Sequence, residues 1–181
     1  MCIRDRPPAV RALQGVLDLP LQIDTTNLAA MESALRIYNG KALINSVNGK
    51  EESMQAIFPL VKKYGGCVIA LTLDESGIPE TAQGRLAIAR KILAVAQSYG
   101  IGKEDIIFDA LALTISADQQ AAQVTLQTLA AIRRELGAYT SLGVSNISFG
   151  PVSYTHLNNA NFGHRSLLLF NSKSAGMIPT S

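Results

Sequence analysis

An α/β fold on a parallel sheet is expected from three features of the chain. Short apolar runs alternate with helical periodicities over most of its length. Four of those runs stop at an acid or a carboxamide: Asp24, Asn45, Asp109 and Asn146. One run, CVIALTL at residues 67–73, is apolar without alternation, as in a strand covered on both faces.

The elements follow in order. Residues 7–18 read as a short helix with Val10, Leu13 and Leu17 on one face. Residues 20–23 are a strand closed by Asp24. Leu28, Met31, Leu35 and Tyr38 then step by three and four along a helix that Asn39-Gly40 ends. Residues 42–44 form a second strand, ending at Asn45. A helix over residues 51–64 carries Met54, Ile57 and Val61 and stops at Gly65-Gly66. The strand at 67–73 opens into a loop at 74–80 that holds Gly77 and Pro79. Residues 81–99 are a helix with Ile88, Ile92, Val95 and Tyr99 in step. Residues 106–108 are a strand closed by Asp109, residues 118–136 a helix ended by Gly137, and residues 141–145 a fifth strand ending at Asn146. From residue 151 the pattern breaks.

The bulk composition narrows the classes. At 181 residues, 48% hydrophobic and 17% charged, the chain is long and apolar enough for one domain with a real core. A net charge of +2 gives no basis for nucleic acid or an anionic membrane as partner. No apolar run approaches a membrane span, and no secretory signal is visible. Cys2 and Cys67 are the two cysteines, and Cys67, inside an apolar run, reads as a buried free thiol in a reducing, cytoplasmic setting. Two histidines and two cysteines make a transition-metal site unexpected.

Repeated strand–helix units with right-handed crossovers build either an open doubly wound sheet or a closed eight-stranded barrel. No Gly-x-Gly-x-x-Gly follows any strand, which weakens the dinucleotide-binding version. Polar residues spread over several strand ends favour the barrel, although five clear strands are too few to close it. Ligands of parallel sheets bind at the carboxyl ends of the strands, so Asp24, Asn45, Asp109 and Asn146 become candidate walls of one pocket. Taken singly, Asp24 and Asn45 read more simply as helix or turn caps; the recurrence at equivalent places argues for a site.

Two carboxylates and two carboxamides suit a flat polar heterocycle. A carboxylate accepts a parallel pair of bonds from an amino group beside an N–H, as on a pterin, and Asn offers both a donor and an acceptor. A purine or flavin edge fits almost as well. A Schiff-base lysine is not placed for catalysis, since Lys41 precedes its strand. Both His156 and His164 lie after the pattern breaks, leaving no credible triad. Asp105 and Asp109 straddle a strand and are not expected to converge. Arg85, Arg133 and Arg134 read as solvated helix charges.

The runs LPLQIDTTN, LINSVNGKEE, LTLDESGIP, IIFDALALTIS and LGVSNISFG, in this order, resemble the pterin-binding domain of cobalamin-dependent methionine synthases. They are also similar to methyltetrahydrofolate:corrinoid/iron–sulfur protein methyltransferases. The resemblance spans residues 7–150. It implies a pterin-binding (β/α)8 TIM barrel, here incomplete, with the N-terminal strands missing and the C-terminal end scrambled. It also implies transfer of the N5 methyl of methyltetrahydrofolate to the cobalt of a cobalamin on a partner domain or corrinoid protein, with no covalent attachment to this chain. Asp24 matches the acid of the family's IDT/IDS motif and Asn45 the Asn of INS; both would bind the pterin. Asp109 would take the amino/N–H edge. Asn146, matching the Asn of GxSN, would contact N5, where a bond that strengthens as the methyl leaves would be catalytic. Ala110 stands where the family usually has Pro. The related dihydropteroate synthases share the fold and the two acids but carry Lys where Asn146 stands. Residues 1–6 (MCIRDR) and VSYTHL within 151–181 read as sequencing-adapter translations, so both ends are expected to be non-native or disordered. The alternative reading is a non-catalytic folate-binding or structural half-barrel.

Overall fold

The computed structural model describes residues 6–112 and 119–143. Five parallel strands, β1 (Gln22–Asp24), β2 (Leu43–Asn48), β3 (Cys67–Leu71), β4 (Ile106–Asp109) and β5 (Tyr139–Ser141), lie in the order β1-β2-β3-β4-β5. Each strand pairs with its successor in sequence. A doubly wound sheet reverses its order at a switch point; this one does not, so right-handed crossovers lay every helix on the same face. The helices α1 (Arg6–Gln14), α2 (Leu28–Ile37), α3 (Glu51–Tyr64), α4 (Ala82–Ser98) and α5 (Gln119–Ala131) accordingly pack each against the next. Among the described residues the result is an open run of barrel units, the barrel version of the two expected architectures.

The core lies between that helix layer and one face of the sheet. Ile23, Ile44, Val47, Val68, Ala70, Ile106 and Phe108 meet Met31, Leu35, Met54, Phe58, Val61, Leu86 and Ile92. Met31, Leu35, Met54, Val61 and Ile92 lie on the stripes that the helical spacing predicts, whereas Leu28, expected on the α2 stripe, is exposed; the helices begin and end where local chemistry dictates. Asn27 Oδ1 accepts the Ala30 N–H at 2.9 Å and caps α2. Glu75 Oε1 accepts the Glu51 N–H at 2.9 Å at the start of α3. Thr81 Oγ1 accepts from Gly84 and caps α4. Gly65, at φ 63°, ends α3 in the left-handed conformation that a side chain disfavours.

Four expectations need correction. β2 continues three residues beyond Asn45, because Val47 and Asn48 find partners in Ala70 and Leu71 of β3. β5 starts earlier than expected and ends at Ser141, since pairing of Tyr139 with Ile107 sets its register; Asn146 lies outside the described residues. The last turn of the helix after β4 is a π turn, Ile132–Leu136, which puts Ile132 into the core before Gly137 turns the chain. Val10 alone of the α1 stripe is buried; Leu13 and Leu17 are exposed, because α1 packs only along its contact with α2. Tyr38 packs against the core as its place on the α2 stripe predicts, and it also ends that helix, its hydroxyl accepting the Leu21 N–H at 3.1 Å to seat the start of β1.

Candidate functional site

Alternation along a strand sends successive side chains to opposite faces. With Ile23, Ile44, Ile106 and Phe108 turned to the helices, their neighbours Asp24, Asn45, Ile107 and Asp109 turn to the other face, which no described helix covers. Asp24 and Asn45 are register partners on adjacent strands, at the same level of the sheet. Asp109 sits two strands beyond Asn45 and one side-chain step higher, level with Leu71 and Ser141. Strand spacing and rise put the Asn45 and Asp109 Cα atoms about 12 Å apart on a flat sheet, a span that two side chains and one bicyclic ring can bridge. Three of the four expected residues therefore share one face near the carboxyl ends of β1, β2 and β4.

A bulge in β2 keeps Asn45 on this face. Asn45 pairs with Ile69 and Val47 with Ala70, which leaves Ser46 without a partner of its own, beside the cis Asn45–Ser46 peptide bond. Strict alternation would turn Val47 to the site. The extra residue returns it to the core, where it is fully buried. Asn48, beyond the bulge, accepts the Lys50 N–H on its Oδ1 and serves the turn into α3. Gly49 follows and donates to Leu73 O at 2.7 Å. A Cβ at Gly49 would lie 2.7 Å from Ile88 Cγ2 and 2.9 Å from Leu73 O, so only glycine lets the loops after β2 and β3 approach this closely.

The cap of α2 falls to Asn27 and not to Asp24. The Asn45 side-chain amide takes no hydrogen bond among the described residues. Asp24 is exposed and Asn45 half-buried. Asp109 is held more firmly. Its carbonyl accepts from both the N–H and the hydroxyl of Thr72, each at 3.2 Å, which ties the end of β4 to β3. Its Oδ1 accepts the Leu111 N–H at 2.8 Å. Burial pushes the Asp109 carboxyl above the ordinary aspartate range, and the Leu111 N–H partly offsets this. Next to Asp109 in register is Ser141, 1% exposed, whose hydroxyl oxygen has no partner among the described residues. A carboxylate, a carboxamide and a buried hydroxyl thus face the same side with hydrogen-bonding capacity to spare. Such a set fits a flat ring rich in donors and acceptors.

The other end of the sheet is occupied by structural pairs. Asp105 accepts from Lys41 Nζ at 2.5 Å, with Cys67 Sγ 3.8 Å away. Asp105 and Asp109 do not converge, as expected, and Lys41 lies far from the site. The Cys67 thiol is free and half-buried, and its pKa is pushed up by burial. Among the described residues no group of three or more His, Cys, Asp or Glu could hold a metal ion, and no helix is long and apolar enough to cross a membrane.

Comparison with known proteins decides the family. The family described as pterin binding enzyme matches residues 5–172. The chain belongs to this family. It is 34% identical over 154 residues to a methionine synthase of Mycobacterium tuberculosis, covering 78% of this chain and 13% of that protein. It is 31% identical over 159 residues to a methionine synthase of Mycobacterium leprae, covering 82% and 13%. The chain thus spans about an eighth of the length of these relatives and resembles their pterin-binding part. A 7,8-dihydropteroate synthase from Vibrio fischeri shares the fold, with TM-score 0.58 and 22% identity over 78% of this chain and 53% of the other.

One expectation fails at the site. Arg85 is not a solvated helix charge; it is 1% exposed. Its neighbours on the same helical stripe, Ile88, Ala89, Ile92 and Ala96, are all buried, so its place on the apolar face of α4 was legible in the spacing. Of the other two arginines, Arg134 is exposed and Arg133 half-buried.

Proposed function

We propose that this chain is the pterin-binding part of a methyltransferase that moves the N5 methyl of methyltetrahydrofolate to a cobalamin carried by another domain or protein. What carries the reading is the grouping of Asp24, Asn45 and Asp109 on one face of the sheet, opposite the described helices, in a chain of the pterin-binding family. The methionine synthases among its relatives favour this branch over the corrinoid/iron–sulfur protein branch.

Each residue has a defined task in this reading. Asp109, with Oδ1 fixed by the Leu111 N–H, presents Oδ2 to the amino/N–H edge of the pterin. Asn45 bonds the ring through its carboxamide, and Asp24 beside it accepts from a further ring donor. Ser141 gives its hydroxyl to a ring heteroatom next to Asp109. Asn146, outside the described residues, keeps the role that the resemblance gives it, a hydrogen bond to N5 that strengthens as the methyl leaves. Cobalamin, when bound by its own domain, supplies the cobalt that accepts the methyl group. This chain's residues bind and orient the donor, which brings the reacting atoms into line.

Calorimetric titration of the whole chain with methyltetrahydrofolate tests the reading. Binding that Asp109→Asn and Asn45→Ala each weaken by tenfold or more is the expected result. A folded chain that binds no pterin overturns it. Binding without methyl transfer to free reduced cobalamin would replace the enzymatic reading with a folate-binding one.

A further inference from the structure

Arg85 is a buried cation with no acid beside it among the described residues. Among the described residues no carboxylate lies within ion-pair distance, and its hydrogen-bond partners are all neutral. Nε donates to Pro79 O at 2.9 Å. Nη1 donates to Ala110 O at 2.7 Å, to Leu111 O at 3.1 Å and to Thr125 Oγ1 at 3.2 Å. Desolvation lowers the guanidinium pKa, but arginine starts so high that it stays charged. An unpaired buried charge is costly, and a neutral residue of similar size would fill the space without that cost. The four acceptors show what the charge does here. They belong to the loop after β3, the turn after β4 and α5, three segments that Arg85 joins at one point.

The turn after β4 is the one that needs holding. Leu111 has φ 59°, in the left-handed region that a branched-chain residue without glycine's freedom rarely adopts. The N–H of the Ala110–Leu111 peptide that opens this turn donates to Asp109 Oδ1 at 2.8 Å. Arg85 takes Ala110 O, the carbonyl of the same peptide plane whose N–H donates to Asp109, and Leu111 O of the next peptide, and so fixes the backbone on both sides of the Leu111 Cα.

We propose that Arg85 is a positioning residue for the ligand site: by clamping the Ala110–Leu111 turn it aims the Asp109 carboxylate at the bound ring. The proposal rests on the pterin reading for the identity of the ring, but its structural half is independent of any ligand. Lysine cannot replace Arg85 here, because one ammonium group cannot reach Pro79 and the Ala110–Leu111 peptide in the same directions.

The test uses the full chain carrying Arg85→Lys, with Arg85→Met as a second variant in case one of them fails to fold. Amide hydrogen exchange by NMR is read first, without ligand. The Leu111 amide is expected to exchange at least tenfold faster, while Ile44 and Val68 amides in the sheet centre keep their wild-type rates. Calorimetry with methyltetrahydrofolate is then expected to show binding about tenfold weaker, with no further loss when Arg85→Lys is added to Asp109→Asn. A uniform rise in exchange at all sites means that Arg85 only stabilises the fold and overturns the proposal, as does an unchanged Leu111 rate or an unchanged affinity. If the wild-type chain itself binds no pterin, the ligand reading fails on its own, and the Leu111 exchange rate alone decides whether Arg85 holds the turn.

Discussion

Ile106 and Ile107 are consecutive residues of one type on one strand, and the fold predicts unequal costs for truncating them. Ile106 is 0% exposed and belongs to the core under the helices. Ile107 is half-buried and faces the candidate site. Ile106→Ala removes three fully buried carbons, a transfer loss of about 2.4 kcal/mol at roughly 0.8 kcal/mol each. The cavity left in a tightly packed region raises this to about 3–4 kcal/mol. Ile107→Ala loses about half the transfer energy and leaves an open notch rather than a closed cavity, so about 1 kcal/mol is expected. For a chain of this length each kcal/mol lowers Tm by about 2–4 °C. Ile106→Ala should therefore melt roughly 6–16 °C below wild type and Ile107→Ala roughly 2–4 °C below. Thermal and urea unfolding by circular dichroism measure both, with unchanged urea m values as the check that the unfolded states are comparable. Equal costs, or a larger one at Ile107, would mean that both faces of the sheet are packed and that the site face is closed to a ligand.

Asp109→Asn should abolish most pterin affinity yet leave the protein at least as stable as wild type at neutral pH. Burial raises the folded-state pKa of Asp109, so the folded chain holds a proton that the unfolded chain has released, and stability falls as pH rises through that interval. The Tm advantage of the variant should be largest at neutral pH and shrink below the ordinary aspartate range; an advantage that grows in acid contradicts the argument. In wild type, methyltetrahydrofolate affinity should rise with pH through the same elevated pKa, because the ring edge needs the ionised carboxylate. Gly49→Ala drives a Cβ to 2.7 Å from Ile88 Cγ2 and 2.9 Å from Leu73 O, and should cost about 1–3 kcal/mol, read as a lower Tm.

The elements with long regular stripes were legible in the sequence. α3 has the bounds that its stripe and Gly65-Gly66 predict, and α4 lies within one residue of its expected ends. Asp24 and Asp109 close their strands as expected. Tertiary pairing decided the rest. Nothing local to β2 tells a reader that Ser46 is a bulge, because the extra residue is defined only against β3. The end of β5 depends likewise on its register with β4. Arg85 departs from the expectation that a charge in a helix is solvated, and its spacing from Ile88, Ala89 and Ile92 places it on the buried stripe. Thr72 and Ser141 carry no sequence signal for their places beside Asp109; only the sheet register brings them there.

The central claim, a pterin site at the carboxyl ends of β1, β2 and β4, is tested most directly by 15N NMR titration of the whole chain with methyltetrahydrofolate. The account predicts that the Asn45 side-chain amide and the backbone amides of Thr25 and Leu111 shift together, with a common affinity, while the Lys41, Cys67 and Asp105 amides at the opposite end stay still. Shifts that cluster at the Lys41 end, or an Asn45 side chain that does not respond while the chain binds, would contradict it.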